Sequence, residues 1–170
     1  MEVRHGAKFK GIFKIEVFDK DGNFLSSSST ENIITDEALN HLLNVALHDT
    51  AKEATWYCAI FSNDYTPDGS ETYAVPIYTE WEAYDEVTRP EFDNAASTAK
   101  STTNSANKAV FTSNGSATLY GASILSVNTK GDVAGGGVLF CAGVFDTAQP
   151  VIDTNVVSLT YTITSSDDGI

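Results

Sequence analysis

Two glutamates flank a tryptophan near the middle of the chain, in the order Glu80, Trp81 and Glu82. If this segment is extended, both carboxylates point to the same side, because side chains alternate along a strand. Paired carboxylates carry out glycoside hydrolysis, and a tryptophan ring can stack on a sugar. However, nothing in the sequence predicts a cleft, or the dissimilar surroundings that separate an acid from a base. We expect no catalytic residue here. A solvated loop or a protein interface is favoured, with carbohydrate binding as the weaker alternative.

Candidate metal ligands and phosphate-binding residues occur only in unsuitable patterns. His41 and His48 lie seven residues apart, without a further ligand at metal-binding spacing. Residues 19–23, D-K-D-G-N, partly match a calcium-binding loop but lack its closing bidentate glutamate; their Asp-Gly pair predicts a hairpin turn. Residues 131–137, G-D-V-A-G-G-G, lack the strand-to-helix context of a phosphate loop. We therefore expect no metal site and no cofactor.

The two cysteines, Cys58 and Cys141, both lie within apolar runs. The first ten residues contain no apolar segment of the kind that directs secretion, so a disulfide is not expected. The longest apolar runs are also shorter than the roughly 20 residues that span a membrane. We predict two buried free thiols and no membrane partner.

The formal net charge of −13 is unevenly distributed. Residues 1–20 hold five basic and three acidic side chains, a net charge of +2, so the remaining 150 residues carry −15. A nucleic-acid-binding protein should have a basic face, and this chain lacks one. We interpret residues 1–20 as a basic N-terminal arm that docks on another acidic surface through Arg4, Lys8 and Lys10. A solvated terminus is the alternative.

A second candidate interface is segment 63–93, which is rich in aromatic side chains that carry polar atoms. Such side chains are enriched where proteins contact one another, and residues 80–93 add six acidic side chains around one arginine. The connection 63–78 is long for a compact domain, which indicates a functional loop or short extra strands. The predicted contact residues are Tyr65, Tyr73, Tyr78, Trp81, Tyr84 and Arg89.

One helix is predicted, over residues 36–48. Thr35 can cap its first free N–H groups, and Asp36 and Glu37 suit the positive end of the helix dipole. Apolar residues then recur at helical spacing and should pack on a sheet; they are Leu39, Leu42, Leu43, Ala46 and Leu47. The following segment, 56–61, is apolar at nearly every position and predicts a strand that is buried on both faces.

Apolar–polar alternation and turn signals predict strands in most of the remaining chain. The predicted strands cover 8–18, with clear alternation from Ile12 onward, 109–112, 117–127, 138–145 and 156–164, with a polar connector at 26–31, a loop at 94–108, and turns at 19–23, 113–116, 128–137 and 150–153. Many short strands and one helix predict a mainly β chain, an antiparallel β-sandwich that forms a single domain over residues 8–170. A jelly roll and an immunoglobulin-like Greek key both fit this pattern.

An ordered set of motifs resembles a family of small virion structural proteins from tailed, chiefly short-tailed, bacteriophages. The motifs are F-K-I-E-V-F-D-K-D-G-N (13–23), N-I-I-T-D-E-A-L-N-H-L-L (32–43), W-Y-C-A-I-F (56–61), W-E-A-Y-D-E-V-T-R-P (81–90), A-V-F-T (109–112), Y-G-A (120–122), G-V-L-F-C-A-G-V-F (137–145) and V-S-L-T-Y-T-I-T (157–164). Two positions depart from the family pattern. Ala38 stands where glycine is frequent, and Cys58-Ala59 where Leu-Gly or Val-Gly is common.

The resemblance implies a non-enzymatic protein of the virion, made in the cytoplasm of the host bacterium. It implies a capsid decoration or cement protein that binds the lattice of the major capsid protein, as a dimer or trimer of itself. The alternative is a tail or adsorption component that recognises a host glycan or protein through segment 63–93.

Overall fold

The computed structural model describes residues 7–167, which form two antiparallel sheets and one helix. The elements in chain order are β1 (Ala7–Phe18), β2 (Phe24–Glu31), β3 (Ile33–Ile34), α1 (Asp36–Leu47), β4 (Tyr57–Phe61), β5 (Ser101–Thr103), β6 (Ala109–Thr112), β7 (Ala117–Leu125), β8 (Leu139–Val151) and β9 (Val156–Asp167). The first sheet has the order β2-β1-β9, with β5 and β6 both paired to the far side of β9. The second has the order β3-β8-β7-β4. The predicted mainly β sandwich with one helix is confirmed.

The first hairpin follows the alternation of its sequence. Phe13, Ile15 and Val17 on β1 are fully buried between the sheets, whereas the intervening side chains face outward. The predicted turn at 19–23 is confirmed: Gly22 has a left-handed φ of 83°, which glycine adopts without steric cost. The polar connector predicted at 26–31 is wrong, because these residues form most of β2 and pair with β1 along their length. Hydrogen bonding to a neighbouring strand outweighs the low strand propensity of serine.

Two other predicted boundaries are also wrong. β8 continues through Pro150, which pairs with Thr118, so the turn predicted at 150–153 begins only after Val151. The loop predicted at 94–108 contains β5. In both cases the pairing partner lies far away in sequence, where local turn signals carry no information about it.

The core between the sheets holds both cysteines, which are buried and free, as predicted. Cys58 on β4 and Cys141 on β8 pair with the same residue, Ile124, from opposite sides of β7. Their backbones are therefore two strand spacings apart, about 9–10 Å, which is too far for a disulfide. Burial raises the pKa of the Cys141 thiol to about 12, so this thiol stays protonated and unreactive at neutral pH.

Helix α1 is anchored to β8 through its first turn. The Thr35 hydroxyl accepts a hydrogen bond from the Ala38 N–H (3.1 Å) and donates one to the Leu139 carbonyl (2.5 Å). The Glu37 carboxylate accepts hydrogen bonds from the N–H groups of Leu139 (2.7 Å) and Tyr73 (2.8 Å). The predicted cap is thus confirmed, and these bonds also determine how the helix is rotated about its axis.

This rotation leaves part of the predicted apolar stripe in solvent. Ala38 is buried, but Leu39, Leu43 and Leu47 are 38%, 58% and 82% exposed. The expectation that these three leucines belong to the core is therefore wrong. The more buried face of the helix is a neighbouring one, where Ala38 is fully buried and Leu42 and Val45 are half-buried.

Replacing Leu43 with alanine should lower the free energy of unfolding by less than about 1 kcal/mol, since most of this side chain is already solvated. The matched control is Leu119→Ala, at a fully buried leucine, which should lose about 2 kcal/mol or more. Urea unfolding of both variants tests this. Equal losses would mean that the stripe is buried in solution.

Candidate functional site

Segment 63–93, the candidate interface of the sequence, packs on the second sheet instead of projecting from it. Its later part follows the free edge of β4, where the N–H groups of Trp81 and Phe92 donate to the carbonyls of Ile60 and Trp56 (both 2.8 Å). Isolated bridges join Phe61 to Glu80 and Tyr57 to Glu91. The segment therefore covers a sheet edge that would otherwise expose unpaired backbone groups.

The aromatic side chains of this segment belong to two buried clusters on opposite faces of the second sheet. Trp81 and Tyr84 lie between the sheets against Phe111, and Tyr84 meets it edge-on at 5.0 Å between ring centroids. On the outer face, Tyr78 stacks on Phe61 at 5.1 Å. This second cluster explains why β4 is buried on both faces, as predicted.

The interface prediction is therefore wrong for five of the six residues named in this segment. The residues are buried, with at most 9% of their surface exposed; they are Tyr73, Tyr78, Trp81, Tyr84 and Arg89. Tyr65 is half-buried and packs edge-on against Phe61 at 4.9 Å. Amphipathic rings are common both in interfaces and in cores that need a large apolar surface, and here the chain's own sheet is their partner.

Arg89 and Glu80 form a buried, bidentate ion pair at the centre of the segment. The Arg89 Nε donates to Glu80 Oε1 (2.8 Å) and Nη2 donates to Oε2 (2.6 Å); the two side chains are only 1% and 7% exposed. Burial opposes the charge of Arg89, but the hydrogen bonds and charge of Glu80 outweigh it and raise the pKa of the guanidinium. Arg89 is therefore a permanent cation.

The Arg89–Glu80 ion pair also connects segment 63–93 to the glycine-rich turn between β7 and β8. Arg89 also donates to the carbonyls of Val127 (2.7 Å) and Asp132 (3.1 Å), and the Gly131 N–H donates to Glu80 (2.9 Å). Lys130 in this turn makes a second contact with the segment. Its ammonium donates a hydrogen bond to the Tyr84 carbonyl (2.6 Å) and lies 3.7 Å from the centroid of the Tyr84 ring.

The two carboxylates that flank Trp81 have different surroundings. Both carboxylate oxygens of Glu80 accept hydrogen bonds from Arg89 or Gly131. The Glu80 carboxylate therefore forms its hydrogen bonds within the chain itself. Glu82 is exposed and approaches the Cα of Gly131, where an added Cβ would lie 2.6 Å from its Oε1. The two carboxylates are thus brought to one side, as expected, but only Glu82 faces solvent.

A cavity of about 230 Å³ opens beside the ion pair. Tyr73, Tyr78 and Pro76 line it together with Glu82, Arg89 and Val133. Burial raises the pKa of the Tyr78 phenol, and a hydrogen bond with Ser123 only partly offsets this effect. The cavity thus combines aromatic walls, neutral phenols and one exposed carboxylate, a set suited to a small polar ligand.

The basic arm is only partly within the described structure. Arg4 lies outside the described residues. Lys8 and Lys10 are exposed on β1, which pairs with β9 along its whole length, and Lys10 forms a surface ion pair with Glu31 on β2. From residue 7 onward, the predicted arm is therefore a strand inside the first sheet.

Leu39, Leu43 and Leu47 on α1, predicted to lie in the core, form an exposed ridge instead. The sequence contains a signal for this exposed ridge. Together with Ala38, Leu42, Val45 and Ala46, these residues spread over more than half of the helix circumference at 3.6 residues per turn. One sheet cannot bury so wide an arc, so some of its residues had to face elsewhere.

Within residues 7–167, no three His, Cys, Asp or Glu side chains converge as they would around a metal ion. The helix found in this part of the chain is too short and polar to cross a membrane. No protein-family model matches the sequence, and no curated protein is significantly similar to it.

Proposed function

We propose that this chain is a non-enzymatic structural protein of a bacteriophage virion. In this proposal it is a capsid decoration or cement protein that binds the lattice of the major capsid protein, with two or three copies of the chain associating. The observation that carries it is the exposed leucine ridge on helix α1 of a strongly acidic β-sandwich. A soluble chain that keeps such a ridge in water is suited to binding another protein.

Three further features support this proposal. The ordered motifs that resemble small virion proteins run along most of the chain. The net charge of −13 favours solubility of the free chain before assembly. A repeated lattice also allows each contact to be weak, because many of them act together.

The test is the number of copies of this chain per virion, measured by quantitative mass spectrometry against the major capsid protein. A ratio near one to one, or a simple fraction of it, is the expected result. A handful of copies per particle would favour the tail or adsorption role. Purified particles that contain none of the chain would refute both roles.

The alternative, a tail or adsorption component that recognises a host glycan, is favoured by one observation, the cavity beside Arg89. Its volume of about 230 Å³ suits a single sugar unit, and the exposed carboxylate of Glu82 provides a hydrogen-bonding group. Binding to a glycan array, lost in Glu82→Gln and retained in Glu53→Gln, would support this role. Absence of binding by the wild-type chain would remove it.

A further inference from the structure

The ridge on α1 is a side of the helix that stays exposed to solvent in the folded chain. Leu39, Leu43 and Leu47 follow one another at intervals of four residues, so their side chains line up along one side of the helix. Their exposed fractions rise from 38% to 58% and 82% toward the C-terminal end. Ala46, also exposed, lies beside them. The result is an apolar ridge about 12 Å long at 1.5 Å per residue.

The sequence around the ridge is acidic. Besides Glu37, whose carboxylate is bound to the N–H groups of Leu139 and Tyr73, residues 35–53 contain the carboxylates of Asp36, Asp49 and Glu53 and only one lysine, Lys52. The last turn of α1, all of which is described, contains no basic side chain. The negative end of the helix dipole is therefore not compensated within the helix, next to the most exposed leucine.

From this combination we infer that the ridge docks into an apolar groove, rimmed by lysine or arginine, on a different protein. The leucines would fill the groove, and the rim would meet the carboxylates and the carbonyl end of the helix. Only the identity of that protein, the capsid subunit, rests on the function proposed above. The contact surface then lies on α1 and not on segment 63–93.

A second copy of the chain is a poorer occupant. Two copies would each bring a net charge of −13 and place acidic rims against one another. A ridge of three leucines on a 12-residue helix also covers much less than the roughly 800 Å² per partner of a stable pair. On a lattice, in contrast, a small contact is sufficient because it is repeated.

The experiment compares Leu43→Glu with Val87→Glu in the phage that encodes the chain. Val87 is 91% exposed on segment 63–93, so it is a matched control at the other candidate surface. We expect Leu43→Glu to lower the copies per particle about ten-fold or more and Val87→Glu to leave them unchanged. Asp49→Lys should also lower them, because it removes charge complementarity. Thermal unfolding followed by circular dichroism must show that each variant folds.

A photo-crosslinking amino acid, p-benzoylphenylalanine, placed at position 43 or 87 in infected cells, identifies the occupant directly. The expected adduct forms from position 43 only and contains a peptide of another protein with lysine or arginine beside the linked site. An adduct between two copies of the chain, an adduct from position 87 alone, or no adduct from position 43 would overturn the inference. If particles lack the chain but the expected adduct forms, the proposed function fails while the inference holds.

Discussion

Replacing Arg89 with methionine should lower the free energy of unfolding by about 3–5 kcal/mol, because it leaves the carboxylate of Glu80 buried without its partner. The loss has a second source. The carbonyls of Val127 and Asp132 also accept from Arg89, and a buried acceptor without a donor costs about 1–3 kcal/mol. Urea unfolding, followed by tryptophan fluorescence and circular dichroism, measures the change.

The control for this prediction is Lys100→Met, which removes a cation from an exposed position and should change stability by less than about 0.5 kcal/mol. The double variant Arg89→Met/Glu80→Leu should recover part of the loss, since an apolar pair often replaces a buried ion pair at little cost. If Arg89→Met alone were as stable as the control, the ion pair would be solvated and would not fasten the segment to the turn.

The features predictable from sequence are those determined by neighbouring residues. The alternation of Phe13, Ile15 and Val17 predicted the buried face of β1, and the Asp-Gly pair predicted the turn at Gly22. Thr35 predicted the helix start and forms its cap. In each case the signal lies within a few residues along the chain, in side-chain period or turn chemistry.

The features that were mispredicted depend on partners that the local pattern of the sequence does not specify. The serines of β2 give no strand signal of their own and are held by pairing with β1. Tyr78 and Trp81 have the composition of an interface, but the surface that they contact is the chain's own second sheet. The sequence likewise predicts the apolar residues of α1 without predicting which of them face the sheet, because Thr35 and Glu37 orient the helix through contacts with β8 and Tyr73.

Closure of the sandwich and exposure of the leucine ridge belong to different parts of the chain. Segment 63–93 closes the sandwich: it covers the edge of β4, buries its aromatic rings and is fastened by Arg89 to the glycine-rich turn. The aligned row of exposed leucines, Leu39, Leu43 and Leu47, lies on α1. Variants in the segment should therefore affect folding first, whereas variants on the helix ridge should affect association and leave folding intact.

Replacing Gly121 with alanine should destabilise the chain by about 3 kcal/mol or more, as overpacking against rigid atoms does at its upper end. A Cβ at this position of β7 would overlap the ring of Phe61 and the carbonyl oxygen of Gly143. Phe61 is held between Tyr65 and Tyr78, and the Gly143 carbonyl is part of the neighbouring strand, so neither can move without loss of other contacts. Gly136→Ala is the matched control, because a Cβ there meets nothing within 4 Å. Urea denaturation measures the effect of both substitutions. If the two alanine variants unfold at the same urea concentration, β7 and β8 can separate locally. The outer cluster around Phe61 would then not hold the second sheet rigid.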